Sequence, residues 1–542
     1  MEEFKDHHSY RPTSQKGSSP YMPLIFSLLI VLGIILGLTI AKITADKKSP
    51  LSQGKYDKIE DIISFVKLKY VDTVNTEQLT DQAIEKMLAT LDPHSVYIPR
   101  KDVEQTNESL DGNFEGIGIE FYIVQDTITV VSAISGGPAE LVGLRAGDKI
   151  VKIEDTVVAG KKIKNEEVTH KLRGQGGTLV KIAVMRSGSR DLKPFTITRG
   201  KIPLYSIDAG YMIDARTGYI KVNRFSATTH KEFKKKLKEL KEQNMKSLII
   251  DLRQNPGGYL NAATEIADEL LDNEKLIVYT KGKSVDKMEY KAGIPGEFEN
   301  GKLCVLIDQG SASAAEILSG AVQDWDRGTI IGRTSFGKGL VQEQYELPDG
   351  SALRLTVARY YTPSGRCIQR PYNKGSEEYY NEVYERYQKG EFMHEDTTKS
   401  KDSTVYKTAK GRIVYSGGGI RPDIFVPLDT TEDFDYLYKM RAFIPEFVYK
   451  HYSAEPTMLD GYTTLAAYNT GFHIDASLSQ SFKESIKVQK FELDEKRYAK
   501  LENKVNEYLK AYLAKQKWQS DGFYYIINQD DKVMERALET FK

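Results

Sequence analysis

Lys302-Leu303-Cys304-Val305-Leu306-Ile307-Asp308, followed by Gln309-Gly310-Ser311-Ala312-Ser313-Ala314-Ala315-Glu316, is the stretch that decides the fold. The first seven residues form a near-continuous apolar run bounded by charge, the pattern of a strand buried on both faces. The small residues after it open a helix expected from about Ser313 to Trp325. The same order occurs upstream. Lys246 to Leu252 (KSLIIDL) reads as a buried strand, Asn255-Pro256-Gly257-Gly258 as a turn, and Leu260, Ala263, Ala267, Leu270 and Leu271 as one helix face. Thr329 to Gly332 supplies a further strand. This β-α-β-α-β order predicts an α/β core with a parallel or mixed sheet and helices packed on it, placed at residues 201–427.

Outside this core the chain changes character. Residues 113–200 carry short β-rich runs separated by Gly and Pro turns: Ile117 to Val124, Ile128 to Ile134, Lys149 to Ile153, Val180 to Met185 and Phe195 to Thr198. A β-rich module is expected there. Residues 50–112 are helical in pattern, with Ile59, Ile62, Ile63 and Val66 on one face and Asp92-Pro93 ending the helical stretch. A polar segment rich in Tyr and Glu, 371–416, reads as a surface insertion into the core. Residues 428–542 are expected to be a helical extension. Its stripe Tyr498, Leu501, Val505, Tyr508, Leu509, Tyr512 and Leu513 serves either internal packing or a homodimer surface.

The N-terminus bears on location. Leu24 to Ala41 is almost wholly apolar, and no charge occurs from Gly17 to Ala41. With its flanks the run is long enough to span a bilayer. Lys5, Arg11 and Lys16 precede it and Lys42, Lys47 and Lys48 follow, so charge does not orient it. No A-x-A site or lipobox cysteine follows. The expectation is a cytoplasmic tail over 1–21 and an uncleaved transmembrane signal anchor over 22–44, with the remainder outside the cytoplasm. Composition excludes other classes. Net charge is zero with 76 basic and 76 acidic residues, so the footprint of a nucleic-acid binder is missing. Two cysteines, Cys304 and Cys367, rule out a disulfide scaffold but leave their pairing open. The eight histidines are scattered, and no metal or other cofactor is expected.

Ser313 and Lys338 carry the candidate chemistry. No histidine falls between residues 231 and 393. If Ser313 is a nucleophile, a lysine is therefore the more plausible base, as in the Ser-Lys variants of serine hydrolases. Lys338 sits in Phe336-Gly337-Lys338-Gly339, where close packing can desolvate an amine and lower its pKa. Ser313 also reads as a plain helix N-cap, since Ser313-Ala-Ala-Glu316 is a capping box. Gln342, four residues after Lys338, is placed to orient its amine or to be an ordinary strand residue. The Ala314 N–H, with that of Gly257 or Gly258, is a candidate oxyanion hole. In the β-rich module, Gly116-Ile117-Gly118-Ile119 is a glycine loop leading into a strand, which suits a terminal carboxylate and an added peptide strand. Arg173, at a helix end, is either a coupler between module and core or a solvated side chain.

Several segments together resemble the C-terminal processing peptidases, also called tail-specific proteases. They are Leu91-Asp92-Pro93-His94-Ser95, the run Gly136-Gly137-Pro138-Ala139 through Gly147-Asp148-Lys149-Ile150, and Asp251-Leu252-Arg253-Gln254-Asn255-Pro256-Gly257-Gly258. Ser311-Ala312-Ser313, Gly337-Lys338-Gly339, Tyr361-Thr362-Pro363-Ser364-Gly365-Arg366 and Gly418-Gly419-Ile420-Arg421-Pro422-Asp423 complete the set. The resemblance implies a PDZ domain at 113–200 beside a serine protease core related to the crotonase/ClpP fold. It assigns the nucleophile to Ser313, the base to Lys338 and a supporting role to Gln342. It implies cleavage of extracytoplasmic proteins near their C-termini, with the substrate's free terminus engaged by the PDZ domain and PDZ movement gating the site. The expected setting is the bacterial inner membrane, crossed once, with the catalytic part in the periplasm or outside the cytoplasm. Two rivals stand beside it: a PDZ adaptor with a dead core, and an acyl-CoA enzyme of the crotonase fold.

Overall fold

The computed structural model describes residues 21–45, 57–189, 191–293, 295–395, 404–429 and 433–542. The chain divides into a unit that ends at Ile84 and a unit Glu85–Lys542. Nearly all of the expected cytoplasmic tail lies outside the described residues. In the first unit, Met22–Ala45 and Asp57–Lys69 are helices. Side chains of the first helix are described from 27 to 39, and Leu28 through Leu38 expose their apolar groups. Among the described residues no helix is long and apolar enough to cross a membrane, so the expected span at 22–44 is not supported.

The second unit is built around a six-stranded sheet in the order Ile207–Met212, Thr217–Val222, Ser247–Asp251, Lys302–Ile307, Thr329–Gly332, Ile424–Phe425. The first pair is antiparallel and all later pairs are parallel. Successive strand side chains point to opposite faces. Leu248, Ile250, Leu303, Val305 and Ile307 therefore pack on the helices Thr229–Glu242, Leu260–Asp268 and Ala314–Asp324. Ile249, Cys304 and Leu306 face the other way, where Val533, Met534 and Ala537 of the last helix cover them. The near-continuous apolar runs in the sequence are explained by this double covering. The chain's own C-terminus supplies the second layer.

A five-stranded antiparallel sheet flanks the core. It pairs Val96–Ile98, Leu340–Glu346 and Leu276–Gly282 with the long strand Ala352–Tyr361, and adds Met288–Lys291 at its edge. The β-rich module forms its own six-stranded sheet. Among the described residues its edge strand Ile119–Val124 pairs only with Thr127–Ala133, which leaves one edge open. The module leaves and re-enters the core through an antiparallel two-stranded neck, Asn113–Gly116 with Gly200–Pro203.

Two expectations change here. The segment 371–416 is more than surface, although 396–403 lie outside the described residues. Its helix Ser376–Gln388 buries Tyr379 and Arg386, and Arg386 donates to the carbonyls of Ser335 and Thr334 at 3.2 and 3.3 Å. The apolar stripe of the extension is used inside the chain. Tyr498, Leu501, Val505, Leu509 and Leu513 are buried against Tyr436, Met440, Ile444, Tyr468 and Phe482, so the stripe does not offer a homodimer surface. Both cysteines are free, Cys304 buried under Ala537 and Thr540.

Met534 is 1% exposed in the layer over the sheet. Met534→Ala should cost about 2–5 kcal/mol in chemical denaturation, the range for truncating a buried Met side chain. Glu535→Ala, on the exposed side of the same helix, should stay within about 0.5 kcal/mol of the parent. Equal effects would mean that the C-terminal helix does not seal the core.

Candidate active site

The elements place Ser313 at a sharp corner. The strand Lys302–Ile307 ends, Asp308 accepts the Gly310 N–H at 2.9 Å, and the Ser311 N–H returns to the Asp308 carbonyl at 2.9 Å. Ser313 follows with φ 54° and ψ −115°, and the helix begins at Ala314. A non-glycine residue in this region costs about 1–3 kcal/mol, and such strain persists only where surrounding contacts impose it. The geometry is that of a strained strand-to-helix elbow that lifts a serine to the end of a sheet.

Glu316 imposes it. This fully buried carboxylate accepts four bonds: from the Ser313 N–H at 2.8 Å, the Lys338 N–H at 2.9 Å, the Gly337 N–H at 2.7 Å and the Ser335 hydroxyl. The sequence showed Glu316 only as half of a capping box. The structure shows it joining the serine elbow to the lysine loop. Burial raises its pKa to about 7, against the pull of these donors. All four partners donate, so the ionised form fits the site. Tyr360, fully buried, makes a second tie by directing its hydroxyl at the Lys338 carbonyl at 2.5 Å and the Ser313 carbonyl at 3.2 Å. Nothing in the spacing of Tyr360 marked it for this role.

Lys338 lies in the same cleft as Ser313. Its pKa is lowered to about 8, first by burial and then by the charge of Arg354, while Glu316 and Asp92 oppose the shift. His94 lines the cleft too, and its pKa falls to about 4 through burial and the nearby Lys338. The ring is therefore neutral at ordinary pH and contacts the Tyr379 hydroxyl at 3.2 Å. Asp92 organises this corner. It accepts from the His94 N–H at 2.8 Å, the Ser95 hydroxyl at 2.5 Å and the Thr356 hydroxyl at 3.0 Å. Leu91-to-Ser95 is legible as a motif, but its place beside the lysine is not. Gln342 also lines the cleft. Its amide nitrogen donates to Thr356 Oγ1 at 3.2 Å, and among the described residues no hydrogen bond joins Gln342 to Lys338.

The backbone donors divide. The Gly257 N–H is donated to Asn255 Oδ1 at 2.8 Å, which removes it from the expected pair. The N–H groups of Gly258 and Ala314 donate to no group among the described residues. Glycine is required at both turn positions. A Cβ on Gly257 would lie 2.7 Å from the Ala312 carbonyl oxygen and from Ser313 Cβ, and one on Gly258 would lie 2.0 Å from the Phe225 carbonyl oxygen. The turn itself hangs from a buried cluster. Despite burial, which raises it, Arg253 and Lys221 hold the Asp251 carboxyl below the usual range. Arg253 also pairs with Asp531 at 2.6 Å.

The cleft holds about 870 Å³. Apolar walls from Phe225, Leu260, Ile317, Leu340 and Tyr360 surround Ser313 and Lys338, and Arg224, Arg354 and Asp111 rim it. In the β-rich module, the N–H groups of Ile117 and Gly118 donate to no described group, while Gly116 closes the neck. Ile119 begins the open-edged strand. Arg173 is partly exposed but not without partners. It pairs with Glu108 at 2.6 Å and lies over the Phe114 ring at 4.3 Å. Glu108 belongs to the helix Arg100–Asp111, whose last turns line the cleft. Among the described residues no cluster is fit to hold a metal ion.

Lys338 gives a stability test with a definite sign. Its folded pKa, about 8, is below the model-peptide value of 10.5. The unfolded chain then binds more protons between these values, so stability rises as pH climbs from about 8 to 10.5. Lys338→Met should stabilise the protein at pH 7 by up to about 3 kcal/mol, and the gain should vanish near pH 10.5. Thermal midpoints across this range check it, and a gain independent of pH would reject a buried ammonium.

Comparison with known proteins is consistent with this geometry. Residues 216–375 match peptidase family S41, 116–193 match a PDZ domain, 38–102 match the activating protease CtpB N-terminal domain, and 436–519 match a family of unknown function. The chain is 36% identical over 317 residues to the carboxy-terminal processing protease CtpB of Bacillus subtilis, covering 58% of this chain and 65% of that protein. It is 35% identical over 350 residues to a carboxy-terminal-processing protease of Bartonella bacilliformis, covering 63% of this chain and 80% of that protein. A probable CtpA-like serine protease of Staphylococcus aureus is 34% identical over 319 residues, with 58% and 63% covered. A strained serine and a half-buried lysine in one cleft accord with these matches, and the matches show that the chain belongs to the carboxy-terminal processing proteases of peptidase family S41, with an inserted PDZ domain.

Proposed function

We propose that this protein is a serine endopeptidase that cleaves proteins near their C-termini with a Ser313–Lys338 pair. The observation that carries the reading is the Glu316 carboxylate, which fastens the Ser313 and Lys338 backbones together in one cleft. Ser313 Oγ attacks the scissile carbonyl as neutral Lys338 Nζ takes its proton. The oxyanion is held by the Ala314 and Gly258 N–H groups. The Lys338 ammonium then protonates the leaving amine and the C–N bond breaks. Water, deprotonated by the same amine, hydrolyses the acyl ester and restores Ser313. Gln342, anchored on Thr356 through its amide nitrogen, keeps its carbonyl oxygen as an acceptor for the ammonium. No metal or nucleotide takes part.

The substrate tail is assigned to the PDZ domain. Its carboxylate meets the free N–H groups of the Gly116–Ile119 loop, and its strand adds to the open edge of Ile119–Val124. Arg173, through Glu108 and the helix Arg100–Asp111, links this domain to the cleft. Residues 22–44 are read as an uncleaved membrane anchor that places the protease outside the cytoplasm. The uncharged apolar run Leu24 to Ala41 supports this. Membrane fractionation with and without residues 1–45 tests it, and a full chain that stays in the soluble fraction would remove the anchor.

Cleavage of casein and of a tailed peptide tests the chemistry. Ser313→Ala and Lys338→Ala should each abolish turnover without unfolding the protein. Lys338→Arg should be equally dead, because a guanidinium stays charged. The rate should rise with pH through about 8 as Lys338 loses its proton, and should fall further below about 7 as Glu316 gains one. A flat profile or an active Lys338→Arg enzyme would reject the base assignment. Amidating the C-terminus of a good peptide should weaken cleavage. Equal rates for free and amidated peptides would take tail reading away from the PDZ domain.

A further inference from the structure

The helical extension, residues 433–542, touches two parts of the molecule in different ways. Its grip on the protease core is tight. Asp531 pairs with Arg253 at 2.6 Å, Asn528 donates to the Tyr211 hydroxyl at 2.7 Å, and Asp521 accepts the Gly210 N–H at 2.8 Å. Val533, Met534 and Ala537 share a buried cluster with the sheet. Its grip on the PDZ domain is slight and polar. The Tyr449 hydroxyl donates to the Val130 carbonyl at 3.0 Å, the Tyr122 and Tyr449 rings meet at 5.6 Å, and Lys515 approaches Glu120 at 3.9 Å. A cavity of about 860 Å³ lies between the two, lined by Val131 and Met185 from one side and Tyr452 and Pro456 from the other. The long helix Glu495–Ile527 breaks at Trp518 and Gln519, separating the arm that meets the PDZ domain from the arm on the sheet.

The place of this contact on the PDZ domain is specific. Glu120 and Tyr122 lie on the open-edged strand Ile119–Val124, on the face away from the domain's core, into which Ile119, Phe121 and Ile123 pack. With the domain seated this way, no described PDZ residue lines the cleft that holds Ser313 and Lys338. The domain's remaining ties to the core include the neck and the Arg173–Glu108 pair.

We propose that the extension is a docking platform for the PDZ domain of its own chain: anchored on the core sheet, it seats the domain clear of the cleft through Tyr449 and Tyr122. This rests on the proposed reading of the PDZ domain as the tail-binding, mobile part. A well-filled interface would fuse the two into one body, whereas two tyrosines beside a cavity make a contact that opens and closes. A peptide added at the edge of Ile119–Val124 lies next to that contact, so tail binding and docking act on one strand. Loss of docking lets the domain leave its seat and uncouples cleavage from the tail.

The test measures position and turnover separately. Spin labels at Lys161→Cys in the PDZ domain and Lys283→Cys in the core, in a Cys367→Ser background, report the distance between them in the full chain. Tyr449→Phe removes only the hydroxyl, and Tyr122→Ala with Tyr449→Ala removes the contact. The parent should give one narrow distribution. The double variant should shift at least about fivefold more of the population to other distances, since a buried hydrogen bond and a ring pair are lost together. Tyr449→Phe should fall between, with circular dichroism unchanged in all three. The preference for a free over an amidated peptide terminus should drop in the same order. A double variant with the parent's distribution overturns the proposal, as does a broadened distribution with an unchanged preference. If the parent cleaves nothing, the protease reading fails, and the distance measurement still decides whether the extension seats the domain.

Discussion

The carboxylate of Glu316 is the interaction on which the rest of the site depends. It is fully buried in a helix packed under the sheet, and its oxygens are met by three backbone N–H groups and a hydroxyl. A charge so placed would be prohibitively costly without those donors. With them it becomes a rigid node. One oxygen holds the serine elbow and the lysine N–H, and the other holds the start of the lysine loop. Glu316 holds Lys338 through its backbone N–H, while desolvation lowers the pKa of the lysine's amine.

Around that node, strain and crowding replace conformational freedom. Ser313 keeps an unfavourable backbone angle, and the glycines at 257 and 258 bring a second chain segment within van der Waals reach of it. Asp251, Arg253 and Lys221 brace that segment from beneath. The polar segment after Arg370 braces the lysine loop from outside. Arg370 is stacked between the rings of Phe336 and Tyr379 at 4.0 Å each, and Arg386 bonds the carbonyl of Ser335. A sequence that reads as a loose insertion thus closes the back of the site.

The same chain end serves two distances. The last helix covers the outer face of the core sheet, and the helices before it reach the PDZ domain. A covalent neck alone would leave that domain free to turn. Noncovalent contacts of modest strength, the Tyr449 hydroxyl on the Val130 carbonyl and the Tyr122–Tyr449 ring pair, add to that neck.

The sequence by itself determined the α/β order of the core, the β-rich module and the helical extension, and it singled out Ser313 and Lys338 as the proposed pair. These are local matters: runs of apolar residues, turn glycines, and a serine and a lysine carried within short motifs. Only the tertiary structure decided which groups meet across long separations. Glu316 reaching Lys338, Tyr360 reaching Ser313, and Asp92 reaching Thr356 each join segments that no periodicity connects. It also decided which of two adjacent glycines keeps a free N–H, because the rival is taken by Asn255. It turned the extension's tyrosine stripe from a possible partner surface into internal packing. Apolar patterning says that a face must be covered. What covers it depends on the folded path of the whole chain.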